Sequence, residues 1–286
     1  MIAGGWMLST VSLGGSMREK LGAIAASGFR HVELFYEDLL DCGETPRGVA
    51  RMLDDLGVSA GTLLPLRDFE IAARMDPTHP AWVDAGRLLD AASELNAQLV
   101  VACSSTRPDA ARDAEAVAND MAALADRAMN QGLRIGYEAL PWATHLKEAG
   151  QAARVVRLAN RPNLGLVLDN FHIAWMGGGP ETVPQFRSQE IALVQLSDSH
   201  MDRAMDVRTL SRNCRCFPGQ GGLPVRDFYD AVRDLGYEGP FSLEVFNSGF
   251  KSRPAGEVCR MAMNSISQSL LARGDDAGAP ISGQDR

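Results

Sequence analysis

Eight short runs of β-forming residues recur along this 286-residue chain, and longer segments of helical periodicity separate them. The runs cover residues 6–12, 31–35, 58–64, 98–103, 133–138, 164–169, 191–196 and 241–245. In the segment 17–26, Leu21, Ile24 and Ala25 fall on one helical face, and 81–95, 109–131 and 257–271 show the same period. Strand–helix alternation implies parallel strands joined by crossovers. Eight such units in a chain of this length predict an α/β fold of the closed (β/α)8 type, the TIM barrel, rather than an open doubly wound sheet. The open sheet would carry a glycine-rich phosphate loop after its first strand. Ser12-Leu13-Gly14-Gly15-Ser16 does not follow the G-x-G-x-x-G pattern. With neither an internal repeat nor an interdomain linker, the expectation is a single catalytic domain over 1–273. The last residues, 274–286, rich in Gly, Asp, Ala and Ser, read as a flexible tail.

Charge narrows the function classes. Thirty-six acidic residues against 28 basic ones give a formal charge of −8. That balance argues against a nucleic-acid phosphate footprint and against attraction to an anionic membrane. No apolar run approaches the roughly 20 residues that a membrane helix needs. The first residues, Met1-Ile2-Ala3-Gly4-Gly5-Trp6, lack the basic start of a secretory signal. Five scattered cysteines (Cys42, Cys103, Cys214, Cys216, Cys259) suit a reduced, cytoplasmic protein. The Cys214-Arg215-Cys216 pair is too close for the usual zinc spacing.

Polar residues stand where the apolar strands end. Strand five ends Gly136-Tyr137-Glu138, strand six Val167-Leu168-Asp169, strand seven Val194-Gln195-Leu196 and strand eight Leu243-Glu244-Val245. In a barrel these ends meet on one face. Three carboxylates so close would raise one another's pKa unless a cation sat among them. Each alone would read as a helix cap or surface acid, but four in successive register point to a metal ring. Three carboxylates and an amide oxygen form a hard donor set, suited to one divalent ion, Mg2+ or Mn2+, with Co2+ as a substitute.

Further candidates lie nearby. His172 follows Asp169 by three residues, where a near-neutral imidazole could act as general base, and His145 and His200 compete for that role. His31 and His79 read as structural. Arg67, just beyond strand three, is either a bidentate clamp for a substrate carboxylate or the partner of Asp68 or Glu70. After strand seven about 26 residues, 197–222, precede the next helix, much longer than an ordinary βα connection.

The Glu…Asp…Gln…Glu order on strands five to eight resembles the xylose-isomerase-like barrels. Local strings resemble more specifically the bacterial 3-dehydroshikimate dehydratase family. They are Ser9-Thr10-Val11-Ser12-Leu13, Val32-Glu33-Leu34-Phe35, Arg67-Asp68-Phe69-Glu70, Tyr137-Glu138-Ala139-Leu140, residues 211–221 and Leu243-Glu244-Val245-Phe246-Asn247. The resemblance runs from about residue 8 to about residue 271, and Cys216-Phe217-Pro218-Gly219-Gln220-Gly221 is its most discriminating part. It implies Glu138, Asp169, Gln195 and Glu244 as ligands of one divalent metal. It implies His172, Glu138 and Glu244 as catalytic residues, and Arg67, Ser211 and Arg215 as substrate contacts.

The implied activity is that of a hydro-lyase. A metal-stabilised enediolate would carry 3-dehydroshikimate to protocatechuate and water, within quinate/shikimate catabolism and aromatic compound metabolism. Some members have a base histidine two residues after the first ligand, where this chain has Leu140; suspicion therefore falls on His172. Some also carry a dioxygenase-like second domain, which a chain of this length is expected to lack. The runner-up is a sugar or keto-acid isomerase or epimerase on the same barrel, against which Gln195 and residues 211–221 count. A non-catalytic binding barrel would have lost ligands, and an abasic-site nuclease would need a histidine-rich zinc cluster and a basic surface. The expected partner is a small-molecule substrate, with neither nucleic acid nor membrane, and homo-oligomerisation is left open.

Overall fold

Side chains alternate across a β-strand, so one parity of each strand faces the middle of a barrel and the other faces the helices. The computed structural model describes residues 5–70 and 78–271. Parallel strands β1 (Trp6–Ser9), β2 (His31–Phe35), β3 (Ser59–Leu66), β4 (Leu99–Cys103), β5 (Arg134–Glu138), β6 (Leu164–Asp169), β7 (Ile191–Leu196) and β10 (Phe241–Leu243) close into a barrel, β10 lying between β7 and β1. Two short strands, β8 (Asp198–Ser199) and β9 (Arg215–Cys216), pair antiparallel outside it. The TIM-barrel expectation therefore holds. The predicted tail, 274–286, lies outside the described residues.

Buried on both faces, the strands read as continuous apolar runs: every residue of β4, β6 and β7 is buried. Met7, Leu99, Val101, Cys103, Val167 and Leu193 pack together as one cluster. Their strand neighbours Leu8, Val100, Ala102, Leu166, Leu168 and Val194 belong to the larger core beneath the helices. Small residues make room inside: a Cβ on Gly136 would lie 2.6 Å from Val167 Cγ2, and one on Gly165 2.7 Å from Ala192 Cβ. Parity then fixes the site. Two residues beyond Met7, Val101, Gly136, Val167, Leu193 and Ser242 stand Ser9, Cys103, Glu138, Asp169, Gln195 and Glu244, all turned the same way.

Helix boundaries follow capping chemistry. Helix Met17–Ala26 starts at a capping box between Ser16 and Glu19. Helix Pro46–Leu56 has Thr45 as N-cap, proline at its first position and Gly57 in the left-handed region (φ 65°) at its end. Helix Ala114–Met129 begins at the Asp113 cap, later than the expected 109, because the Asp113 carboxylate accepts from Ala116 N at 2.7 Å. Helix Pro80–Glu94 matches the expected 81–95 closely. Helix Ala255–Ser265 passes into a wider turn over Ile266–Leu270. The first strand is shorter than expected, since after Ser9 the chain tightens into a 3-10 turn, Thr10–Ser12.

The long segment after β7 is built, not loose. It forms β8, the helix Val207–Asn213 and β9 before reaching residue 222, so a helix interrupts the expected connection. Its anchor is Asp198, 1% exposed. One carboxylate oxygen accepts the backbone N–H of Ser199 (2.8 Å) and Leu223 (2.9 Å), and the other those of Gly219 (3.0 Å) and Gly221 (2.9 Å). Gly221 passes so close that a Cβ there would lie 2.4 Å from Asp198 Oδ1. Asp198→Ala would orphan four donors at once. We expect it to lower unfolding stability by about 2–4 kcal/mol in urea denaturation; a loss under about 0.5 kcal/mol would show that the loop holds without this carboxylate.

Candidate active site

The barrel's carboxyl ends gather a polar cluster that is almost wholly shielded from water. Glu138, Asp169, Gln195 and Glu244 are all buried, as are His172, Ser211 and Arg215. Asp169 and Gln195 are register partners on adjacent strands. Asp169 Oδ1 caps the short helix Asn170–Trp175, accepting from Phe171 N at 2.8 Å and His172 N at 3.3 Å, which swings His172 back over the ring. His172 Nδ1 lies 3.1 Å from Glu138 Oε1, though off the direction of a hydrogen bond, and Nε2 is 3.6 Å from Asp169 Oδ2. Trp142 meets the imidazole edge-on, with ring centroids 5.1 Å apart.

Arg215 sits inside this ring rather than at its mouth. Its NH1 donates to Asp169 Oδ2 at 2.6 Å and approaches Glu244 Oε2 at 3.5 Å; its NH2 donates to Ser211 Oγ at 2.8 Å and lies 2.8 Å from His172 Nε2. A guanidinium can only donate, so the neutral His172 ring carries its proton on Nδ1. The guanidinium also covers the Phe171 ring, 4.5 Å from its centroid. Backbone contacts aim it: Arg215 N donates to Phe246 O at 3.1 Å, and Asn247 Nδ2 donates to Arg215 O at 2.7 Å. Asn170 closes the frame, its side chain exchanging two hydrogen bonds with the Ser197 backbone at 2.8 and 2.9 Å.

The charges perturb one another strongly. Burial alone would raise the Asp169 carboxyl, but Arg215 and then His172 outweigh it and hold the group below its ordinary value. For Glu244 burial wins. Together with the Glu33 charge it pushes the carboxyl well above the carboxylate range, and Arg215 offsets only part. Cys103 donates from Sγ to Glu138 Oε2 at 3.2 Å, and burial followed by the Glu138 charge raises its thiol.

Above the ring opens a pocket of about 350 Å³, including its mouth, walled by Phe35, Leu64, Leu140, Trp142 and Phe246. Arg67, Ser211, His172, Glu138, Glu244 and Arg215 all line it. Arg67 pairs with Glu37 at 2.5 Å, rather than with Asp68 or Glu70. Asp68 instead accepts from Ser105 Oγ at 2.7 Å and Thr106 N at 3.0 Å. His145 does not line the pocket, and His200 is exposed at a separate surface hollow beside Asp202. His31 bonds Ser59 Oγ at 2.7 Å, and His79 caps helix Pro80–Glu94.

Three residues in or beneath the pocket escape the strand-end pattern. Arg212 is half-buried, stacked 4.8 Å over the Phe246 ring, and forms no ion pair among the described residues. Cys103 ends a strand that reads as pure core. Glu33, fully buried on β2, is a fourth carboxylate, and burial pushes its pKa to about 8. The signal for Glu33 was the single acid in Val32-Glu33-Leu34-Phe35, on the inward parity of its strand.

The family profile of the xylose isomerase-like TIM barrel matches residues 21–266, and the chain belongs to that family. Among its relatives is a 3-dehydroshikimate dehydratase of Pseudomonas aeruginosa, 44% identical over 247 residues, which are 86% of this chain and 39% of the relative. A 3-dehydroshikimate dehydratase of Pseudomonas putida is 40% identical over 91% of this chain and 40% of its own length. The chain thus spans about two fifths of the length of these two relatives. A solved xylose isomerase-like TIM barrel/4-hydroxyphenylpyruvate dioxygenase fusion protein superposes with TM-score 0.86 at 40% identity, covering 92% of this chain and 42% of that one. The IOLI protein, solved with a binding zinc atom, shares the fold (TM-score 0.80, 21% identity, 93% and 98% covered).

Removing the guanidinium from the ring has a calculable effect. Arg215→Leu would leave the buried acids without their internal cation. In metal-free protein we expect a loss of about 3–5 kcal/mol, the usual result of stripping one partner from a buried pair, measured by urea denaturation after exhaustive chelation. A change below about 1 kcal/mol would mean that the acids are held neutral by protonation instead.

Proposed function

We propose that this chain is a metal-dependent 3-dehydroshikimate dehydratase, a hydro-lyase that converts 3-dehydroshikimate to protocatechuate and water. The observation that carries the proposal is the convergence of Glu138, Asp169, Glu244 and His172 beneath a pocket whose mouth holds Arg67 and Arg212. The identity to dehydratases over most of this chain supports the same reading.

The donors suit a divalent ion. Ligand atoms of Glu138, Asp169 and His172 lie within 4.8 Å of one another, and Gln195 Oε1 is buried without a hydrogen-bond partner. We assign Glu138, Asp169, Gln195 and Glu244 as the ligands; an all-oxygen set favours Mg2+ or Mn2+ over zinc and admits Co2+. Such an ion, when bound, supplies Lewis-acid polarisation of the substrate carbonyl.

The chain's own groups supply the remaining chemistry. Arg67 and Arg212 offer two guanidiniums at the mouth for the substrate carboxylate, and Ser211 holds Arg215 in place. Trp142, Leu140 and Phe246 enclose the ring and exclude water from it. His172, which lines the pocket, takes the α-proton. Loss of the β-hydroxyl as water and tautomerisation then give the aromatic product, and aromaticity makes the overall step irreversible. A catechol acid as product places the enzyme in aromatic-compound metabolism, in quinate/shikimate catabolism, and the free thiols suit a cytoplasmic setting.

Protein loaded with Mn2+ or Mg2+ and given 3-dehydroshikimate should accumulate protocatechuate, followed by its absorbance. EDTA should abolish the reaction and added Mg2+ or Mn2+ restore it. Absence of product from protein shown to bind the metal stoichiometrically would sink the assignment and favour a keto-sugar isomerase.

His172→Asn should retain fold and metal yet lower the turnover number by about 10²- to 10⁴-fold, the usual contribution of a general base. His145→Asn, outside the pocket, should leave turnover within about threefold of wild type. The reverse pattern would transfer the role to His145.

A further inference from the structure

Gln195 is completely buried on β7, and its side chain crosses the barrel to β2, where Nε2 donates to Glu33 Oε2 at 3.2 Å. Glu33 is likewise completely buried. The strands between β2 and β7 carry serines at the matching level: Ser9 pairs in register with Glu33, and Ser242 with Gln195. Both hydroxyls stand beside Glu33, close enough to ease its ionisation though not in hydrogen-bonding geometry. Larger side chains on β1 and β10 would fill this space and keep Glu33 and Gln195 apart.

A glutamine amide can turn its last bond through half a circle and present either oxygen or nitrogen in the same place. Only the oxygen can ligate a cation. Nothing else in the described surroundings of Gln195 chooses between the two, since its Oε1 is unpartnered. Glu33 makes the choice. An amide NH2 can only donate, and in the structure Glu33 Oε2 is the acceptor that takes it. Nitrogen toward Glu33 therefore leaves Oε1 buried, without a hydrogen-bond partner and free to ligate.

We infer that Glu33 is a positioning residue for the metal site: it does not touch the ion, but fixes the Gln195 amide so that its oxygen is left free to ligate. This inference rests on the divalent-metal reading above and extends it to a residue outside the ligand set. Outer partners of this kind typically govern metal affinity by about 10- to 100-fold.

The test measures Mn2+ binding by calorimetry, apart from activity, in wild type, Glu33→Ala, Glu33→Gln, Gln195→Glu and the exchanged pair Glu33→Gln with Gln195→Glu. Glu33→Ala should weaken Mn2+ about 10- to 100-fold. Glu33→Gln keeps an oxygen acceptor for the Gln195 NH2 and should stay within about fivefold of wild type. Gln195→Glu alone faces two carboxyls against each other and should bind poorly. The exchanged pair restores one donor and one acceptor at unchanged total charge and should recover binding, a rescue that a merely structural role would not produce. If wild type and Glu33→Ala bind Mn2+ equally, or the exchanged pair is no better than Gln195→Glu, the positioning role is overturned. If wild type binds no Mn2+ while remaining folded by circular dichroism, the metal reading itself falls, and this inference with it.

Discussion

Several carboxylates sharing one apolar interior would not stay ionised unaided, because desolvation and mutual repulsion both favour their neutral forms. The barrel answers with Arg215. Its guanidinium lies among Asp169, Glu244 and His172 and is itself excluded from water. Arg215 outweighs burial at Asp169 and holds it below its ordinary value, whereas burial prevails at Glu244 and at Glu33 and raises both.

The scaffold around Arg215 explains why it can be placed so deeply. Strand β9, which carries it, does not belong to the barrel; it is sutured to β8 on one side and to the chain beyond β10 on the other. Asp198 organises the return of that loop through its four backbone N–H groups. Rigid strands supply the acids, and a rigidly folded insertion supplies the cation. Such division is common to barrels whose chemistry lies on the βα loops.

Much of this was legible in the chain. Apolar strand runs and helical periodicity defined the barrel, and the acids at strand ends located the cluster, because strand-end polarity has no other outlet in an apolar interior. The remaining features depend on contacts between distant residues. Arg215 reads as a mouth residue because its strand is only two residues long and leaves no periodic trace. Glu33 sits in mid-strand, where one acid among apolar neighbours looks like an ordinary exposed position until barrel closure turns it inward. Arg212 is one arginine among several in its loop, and only its stacking on Phe246, without an acidic partner among the described residues, distinguishes it. The start of helix Ala114–Met129 moved because the Asp113 cap, not hydrophobic period, set the boundary.

The Asp198 anchor separates two halves of one insertion. Residues between β8 and β9 hang from a hairpin whose base is pinned independently, and the turn beyond β9 is tied to the same carboxylate. The residues around Asp202, ahead of helix Val207–Asn213, can therefore lengthen, shorten or change composition while Arg215 stays registered against the ring. Variation there would remodel the surface hollow beside Asp202 and leave the buried cluster untouched. A fold so arranged lets this part of the surface drift on a different evolutionary clock from the core.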